Sequence, residues 1–561
     1  MKYLLDMVHH NPGERPFQSA FLDPDHLVAQ GYTGQVFKHI NCIATFRALG
    51  EDFFPEGSEE RAWLDPFTAA IEAEIRAAKA AGLQVFFHID LFVLPKRLIE
   101  RFRDRLCEQD GRISLDQDFT LEVHRVLFDE LFERYPMMDG FIIRHGETYL
   151  YDTPFHAGNG PIPLHGPYAE PEREHDRFVK LIGFLREAVC VRHNKTVIFR
   201  TWDWHPDKFH ASADYYLAVT DRIEPHPNLL FSIKHTAMDF YRHIKPNEAL
   251  GRGCHPQIIE VQCQREFEGK GAYPNYVMDG VINGFEEIPK KIGLKDVAGN
   301  PLIQGVYTWS RGGGWFGPYL QDEFWPALNA FVISRWACHP NQTEEEILLQ
   351  FGRERLGLTD ADAAAFRRLC LLSARAVLKG RYCEAWDRTL NGIRTPVGLW
   401  MRDDRLGGLS QLAEVFAYLY EQDLFAVALQ EKAEAVALWE EIFGLLAGIH
   451  FPDKAQGERL ATSVHYGLRL FRVVKAGWEV MALGYGADRT GQFPAAQMRA
   501  AIESYDQAWK SYREVVGMKG AASLYHGFYF GLPGEPEVPG LDATVDRYRE
   551  RCDAATELTA L

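Results

Sequence analysis

The chain has 561 residues, 46% of them hydrophobic and 25% charged, the balance of a soluble globular protein long enough for two or three domains. A net charge of −17 argues against nucleic acid as a partner, because phosphate binding is driven by Lys and Arg. No run approaches the roughly 18–20 apolar residues needed to span a bilayer, so no membrane partner is expected.

The opening stretch, MKYLLDMVHH, is too brief an apolar run for a signal peptide. The nine cysteines lack metal-ligand or disulfide-framework spacing and fit a reducing compartment, so the expected location is the cytoplasm. The spacing of β-rich runs predicts eight strands: Tyr3 to Met7, Gln35 to His39, Gln84 to His88, Gly140 to Ile143, Thr196 to Arg200, Leu229 to Ile233, Gln257 to Gln262 and Gly305 to Trp309. Amphipathic helical segments lie between them. One is expected to start with Asp65 as cap and Pro66 at its first position, carrying Ile71 and Ile75 on one face and closing at Gly82. Another has Val123, Leu127 and Leu131 at helical spacing, and a third Phe324, Leu328, Phe331, Val332 and Trp336. Eight strand-then-helix units imply a closed (β/α)8 barrel over residues 1–340. An open doubly wound sheet is the competitor, but no glycine-rich phosphate turn follows a strand. Residues 341–561 change texture to alanine-rich helical segments (343–356, 360–379 and 409–449), broken late by HGFYFGLPGEPEVPG. They read as an all-helical C-terminal domain whose expected roles are packing and homodimer formation.

Barrel chemistry sits at the C-terminal ends of the strands. Polar residues just past them are therefore candidate site groups: His145 and Glu147; Arg200, Trp202 and Asp203; Lys234, His235 and Asp239; Arg265 and Glu266; Trp309 and Arg311. Cleaving a glycosidic bond commonly needs one carboxylic acid to protonate the leaving oxygen and a second carboxylate to activate water or attack the sugar, and Glu147, Asp239 and Glu266 supply three. The tryptophans Trp202, Trp204, Trp309 and Trp315 suit the apolar faces of a sugar. Arg200 and Lys234 are either structural ion-pair partners or a clamp for an anionic substrate group.

The order FRTW, IKHTAMDF, IIEVQCQREFEGKG resembles the catalytic core of the α-glucuronidases of glycoside hydrolase family 67, with its K-N-G-P-M-D-F motif followed by E-x-Q-x-x-Q-E-[YF]-x-G. The matching residues are Arg200, Lys234 with Met238, Asp239 and Phe240, then Glu260 and Gln262 leading to Glu266, Phe267 and Gly269. The passage from Gly305 to Ile347 is similar to the family's entry into its helical C-terminal domain. The resemblance implies inversion without metal or cofactor, with Glu147 as general acid, Asp239 and Glu266 holding and deprotonating the water, and Arg200 and Lys234 gripping the uronate. The implied substrate is an acidic oligosaccharide. The family's extra N-terminal domain has no counterpart in these residues. Its N-G-P reads H-T-A at His235 to Ala237, and its glutamine before the catalytic glutamate is Arg265.

Three other readings stay open. A retaining barrel glycosidase would use Glu147 as acid/base and Glu266 as nucleophile. A metal-dependent hydrolase would draw on His88, Asp90, His145, His205 and His235, although no tight ligand pair occurs among them. A catalytically inactive carbohydrate-binding protein would use the same cavity without turnover.

Overall fold

A computed structural model describes residues 1–10, 16–150, 152–162, 171–205, 207–390, 400–530 and 537–560. Eight parallel strands close into a barrel: β1 (Tyr3–His9), β2 (Gly34–Lys38), β3 (Gln84–Asp90), β4 (Gly140–Arg144), β5 (Thr196–Arg200), β6 (Leu229–Lys234), β7 (Gln257–Gln262) and β8 (Ile303–Gly312). Each strand pairs with the next, and β8 returns to pair with β1. The (β/α)8 expectation therefore holds, with all eight strands where the β-rich runs placed them. Among the described residues, no helix is long and apolar enough to cross a membrane.

Strand side chains alternate between the inside and outside of the barrel. On β6, Leu229, Phe231 and Ile233 pack outward against the helices, while Leu230 joins the inner core; parity then carries Ser232 and Lys234 inward. The same count turns Arg144, Arg200, Glu260, Gln262, His88 and Asp90 into the lumen. Tyr3, Leu5, Phe86, Ile142, Ile198, Ile258 and Tyr307 fill the lower interior with an apolar plug. Two environments thus share the same eight strands: a dry apolar layer below and a charged layer at the C-terminal mouth.

Two helix boundaries differ from expectation. The helix that carries Ile71 and Ile75 runs Glu59–Ala80 and is capped by Ser58, whose hydroxyl accepts the Arg61 N–H at 3.2 Å. Pro66 lies inside it and Asp65 forms an i,i+4 ion pair with Arg61 instead of capping. A serine followed by two glutamates makes the better start, and Pro66, the eighth helical residue, forgoes the one backbone bond its missing N–H would have made. The stretch 409–449 is two helices, Ala413–Glu421 and Phe425–Gly448, because Asp423 takes a left-handed conformation (φ 53°) between them. Helix 324–338 is as expected, and Thr343 caps Glu344–Leu356 through a reciprocal bond with Glu346. Helices Asp360–Arg381, Phe425–Gly448, Lys454–Thr490 and Ala495–Arg513 then pack side by side against the barrel. Part of the Gly/Pro-rich segment, 531–536, lies outside the described residues.

Candidate active site

At the top of β6, Lys234 reaches up from a side chain only 4% exposed and donates to Asp239 Oδ1 at 2.7 Å. Its ammonium also lies 3.2 Å from the centre of the Trp202 ring and 4.7 Å from that of Phe240. An aromatic box of this kind favours the cation and fixes its direction. Asp239 is fixed in turn, since the same oxygen accepts the Phe240 N–H at 3.0 Å.

Glu266 follows β7. Gln262, the last residue of that strand, donates its amide to Glu266 Oε1 at 3.0 Å and accepts the Glu266 N–H at 2.9 Å, while the Gly314 N–H donates to Oε2. Gly313 and Gly314 run close over the carboxylate with φ of 98° and 77°, a conformation and an approach that a Cβ would block. Burial pushes the Glu266 carboxyl up to about 7, the charge of Asp239 adds to the rise, and Arg402, Lys234 and Gln262 oppose it. The charge of Asp239 reaches Glu266, so the two carboxylates share one locus, and near neutral pH the Glu266 carboxyl holds part of a proton.

Glu147 sits half-buried on the loop after β4. Two residues on, Tyr149 is anchored by its N–H to Asp90 Oδ2 at 2.9 Å; its ring takes the Arg144 guanidinium at 4.2 Å and meets Trp315 edge-on at 5.5 Å. The Tyr149 phenol is pushed up by burial, then by Glu147, and also by Glu266. One hydroxyl therefore feels both carboxylates.

Several residues expected to bind substrate have other work. Arg200 is enclosed below this level, 2% exposed, and grips Glu260 with two bonds, Nε to Oε2 at 2.9 Å and Nη2 to Oε1 at 2.6 Å. A guanidinium closed on a buried carboxylate fits the structural ion pair, one of the two roles expected for Arg200. Arg144 closes on Asp90 in the same way. Arg265 (φ 58°) turns away from Glu266 and chelates Glu268 at 2.9 and 2.7 Å. Burial raises Glu268, but Arg265 and Arg242 outweigh it and hold the carboxyl down to about 2. Asp203 accepts the N–H groups of His205 and His210 and organises its own turn; burial lifts it to about 7. His145 faces the Arg200 carbonyl at 3.1 Å, and His235 the Glu260 carbonyl at 3.3 Å. Burial lowers both imidazoles to about 3, so both are neutral. Arg311 pairs with Glu323 at 2.9 Å at the rim, over the Phe17 ring. Trp202 lies against the Lys234 ammonium, and Trp309, 8% exposed, stacks on His9 and spans the Arg200 guanidinium. Among the described residues no group of three His, Cys, Asp or Glu could hold a metal ion.

A further contribution comes from the helical region. Asp403 accepts the Trp315 N–H at 2.8 Å and pairs with Lys270 at 3.1 Å, which sets Arg402 beside the Glu266 loop. No motif marks this segment. Only its place in the folded chain does.

No family model and no curated protein matches the chain. Among solved structures, a glycoside hydrolase family 138 enzyme targeting pectin rhamnogalacturonan II aligns over 99% of this chain and 84% of its own, with a TM-score of 0.57 and 11% identity. A point mutant of an O-GlcNAc hydrolase of Thermobaculum terrenum aligns over 100% of this chain and 96% of its own, with a TM-score of 0.40 and 11% identity. The first likeness is one of fold: a barrel on which glycoside hydrolases are built, together with its helical extension.

Proposed function

We propose that the protein is a glycoside hydrolase of α-glucuronidase type that cleaves a uronic-acid-containing oligosaccharide with inversion. The observation that carries this reading is the placement of Asp239, Glu266 and Glu147 on the loops after β6, β7 and β4, at one end of the barrel, with Asp239 close enough to raise the Glu266 carboxyl. In the proposed step Glu147 donates its proton to the departing glycosidic oxygen as the bond to the anomeric carbon breaks. A water lying against Asp239 and Glu266 attacks the opposite face and gives its proton to that pair. Lys234 keeps Asp239 oriented, and Asp239 and Glu266 together serve as the base. Trp202 and Trp309 offer apolar surface to the sugar ring.

A retaining mechanism is the second reading, with Glu147 as acid/base and Glu266 as nucleophile, and it requires carboxyl groups only about 5–5.5 Å apart. Proton NMR of the first-formed product from an aryl α-glucuronide separates the two. The β-anomer is expected, and α-anomer formed first would overturn inversion. Pectin-derived acidic oligosaccharides belong in the same panel, given the fold neighbour that targets such a polymer. A wild-type protein inert on the whole panel would leave only sugar binding.

A further inference from the structure

We propose that Arg402, supplied by the helical C-terminal region and not by the barrel, is the residue that binds the anionic group of the substrate. The proposal rests on reading the Asp239–Glu266 site as one for an acidic glycoside. It follows from a comparison of the arginines around the mouth. Arg144, Arg200, Arg242 and Arg265 each hold a carboxylate by direct hydrogen bonds, with Asp90, Glu260, Glu287 and Glu268 respectively. Arg402 does not. Its side chain is 14% exposed, its nearest anion is Asp403 Oδ2 at 3.4 Å from Nε, and among the described residues none accepts a hydrogen bond from its guanidinium. The Arg402 Nε is buried without an acceptor, which is unfavourable unless a ligand supplies one, and the rest of the guanidinium keeps its donors available. Arg381 also has unmet nitrogens, but it is fully enclosed, whereas Arg402 keeps an opening.

The position is fixed from two sides. Trp315 and Gly314 offer consecutive N–H groups, one to Asp403 and the other to Glu266, so the chain segment holding Arg402 is pinned one peptide from the Glu266 carboxylate. The guanidinium lies 5.3 Å from the Phe267 ring, which stacks on Tyr241 at 4.2 Å; these two residues directly follow the Glu266 and Asp239 turns. Arg402 also counters the negative charge felt by Glu266 more than any other cation does. Lys234, the other cation at this level, is already bonded to Asp239 and boxed by two rings. A forked donor with an open face matches a carboxylate.

The test is an NMR titration of the wild-type protein, Arg402→Ala and Arg402→Lys with glucuronate and galacturonate, each against its neutral parent sugar. The wild type is expected to prefer the uronates. Arg402→Ala should weaken uronate binding by about 10- to 150-fold, the range for a hydrogen bond to a charged group, and change neutral-sugar binding by less than about 3-fold. A uronate preference that survives in Arg402→Ala would overturn this role while leaving the acidic-glycoside reading intact. A wild type without any uronate preference would overturn that reading, and this role with it. If Arg402→Ala does not fold, Arg402→Lys decides, since it keeps a charge beside Asp403 but loses the fork: weakened uronate binding upholds the proposal, and unchanged binding overturns it.

Discussion

The lower and upper halves of the barrel lumen are built from the same strands, two residues apart, and solve opposite problems. Below, Leu230, Ile258 and Ile198 fill space with apolar side chains that need no partner. One step up, Ser232, Glu260 and Arg200 bring charge into an interior where an unpaired ion is very costly, and they close on one another. A second step up, Lys234 pairs with Asp239, while Glu266 is held only by neutral donors and stays coupled to Asp239. Charge alone therefore does not mark the site. What marks it is charge that the protein leaves incompletely matched.

That distinction can be broken most forcefully by exchanging the acids at the mouth. Glu147→Gln and Asp239→Asn are expected to lower kcat by roughly 10²- to 10⁴-fold on an acidic glycoside, with thermal unfolding temperatures close to wild type. Full activity in either would remove that residue from the chemistry. The matched layer should respond in the opposite sense. Glu260→Gln strands Arg200 in the lumen and is expected to cost about 3–5 kcal/mol in urea unfolding; a loss under about 1 kcal/mol would show that the pair is not the structural unit described here. Lys234→Ala should fall between the two, lowering kcat by about 10-fold to 100-fold on acidic and neutral substrates alike, because its bond is to Asp239. A loss confined to acidic substrates would instead assign Lys234 to the substrate anion.

A separate effect concerns pH. Glu266 is raised in the folded protein to about 7 from an ordinary value of 4.5, so its stabilising contribution is complete below about 4.5 and is lost as pH rises through about 7. Relative to wild type, Glu266→Gln should gain in unfolding temperature between those limits and level off above them. A difference that does not change with pH would mean that Glu266 titrates normally.

Much of this was legible in the sequence, and the reasons are physical. β-rich runs of five or six residues, spaced by helical patterns, marked all eight strands, and the strand ends located Lys234, Asp239 and Glu266. The role of Arg200 was not legible, because its partner Glu260 is 60 residues away and an arginine reads the same whether it is paired or free. Counting alternate residues on β7 from Ile258 would have turned Glu260 inward beside it. Arg402 carried no local signal at all: it reaches the site only because the helical region packs across the mouth and Asp403 takes the Trp315 N–H. Arg265, adjacent to Glu266, looked like a site residue by proximity, yet a left-handed backbone at that position sends it to Glu268.

A crystal structure of the Asp239→Asn protein with a bound uronic-acid oligosaccharide tests the central claim most directly. The expected result has the anomeric carbon between Glu147 and the paired side chains at positions 239 and 266, acid and base carboxyl carbons roughly 6.5–9.5 Å apart, and the uronate against Arg402. A sugar seated elsewhere, or Glu147 directed away from the glycosidic oxygen, would contradict it.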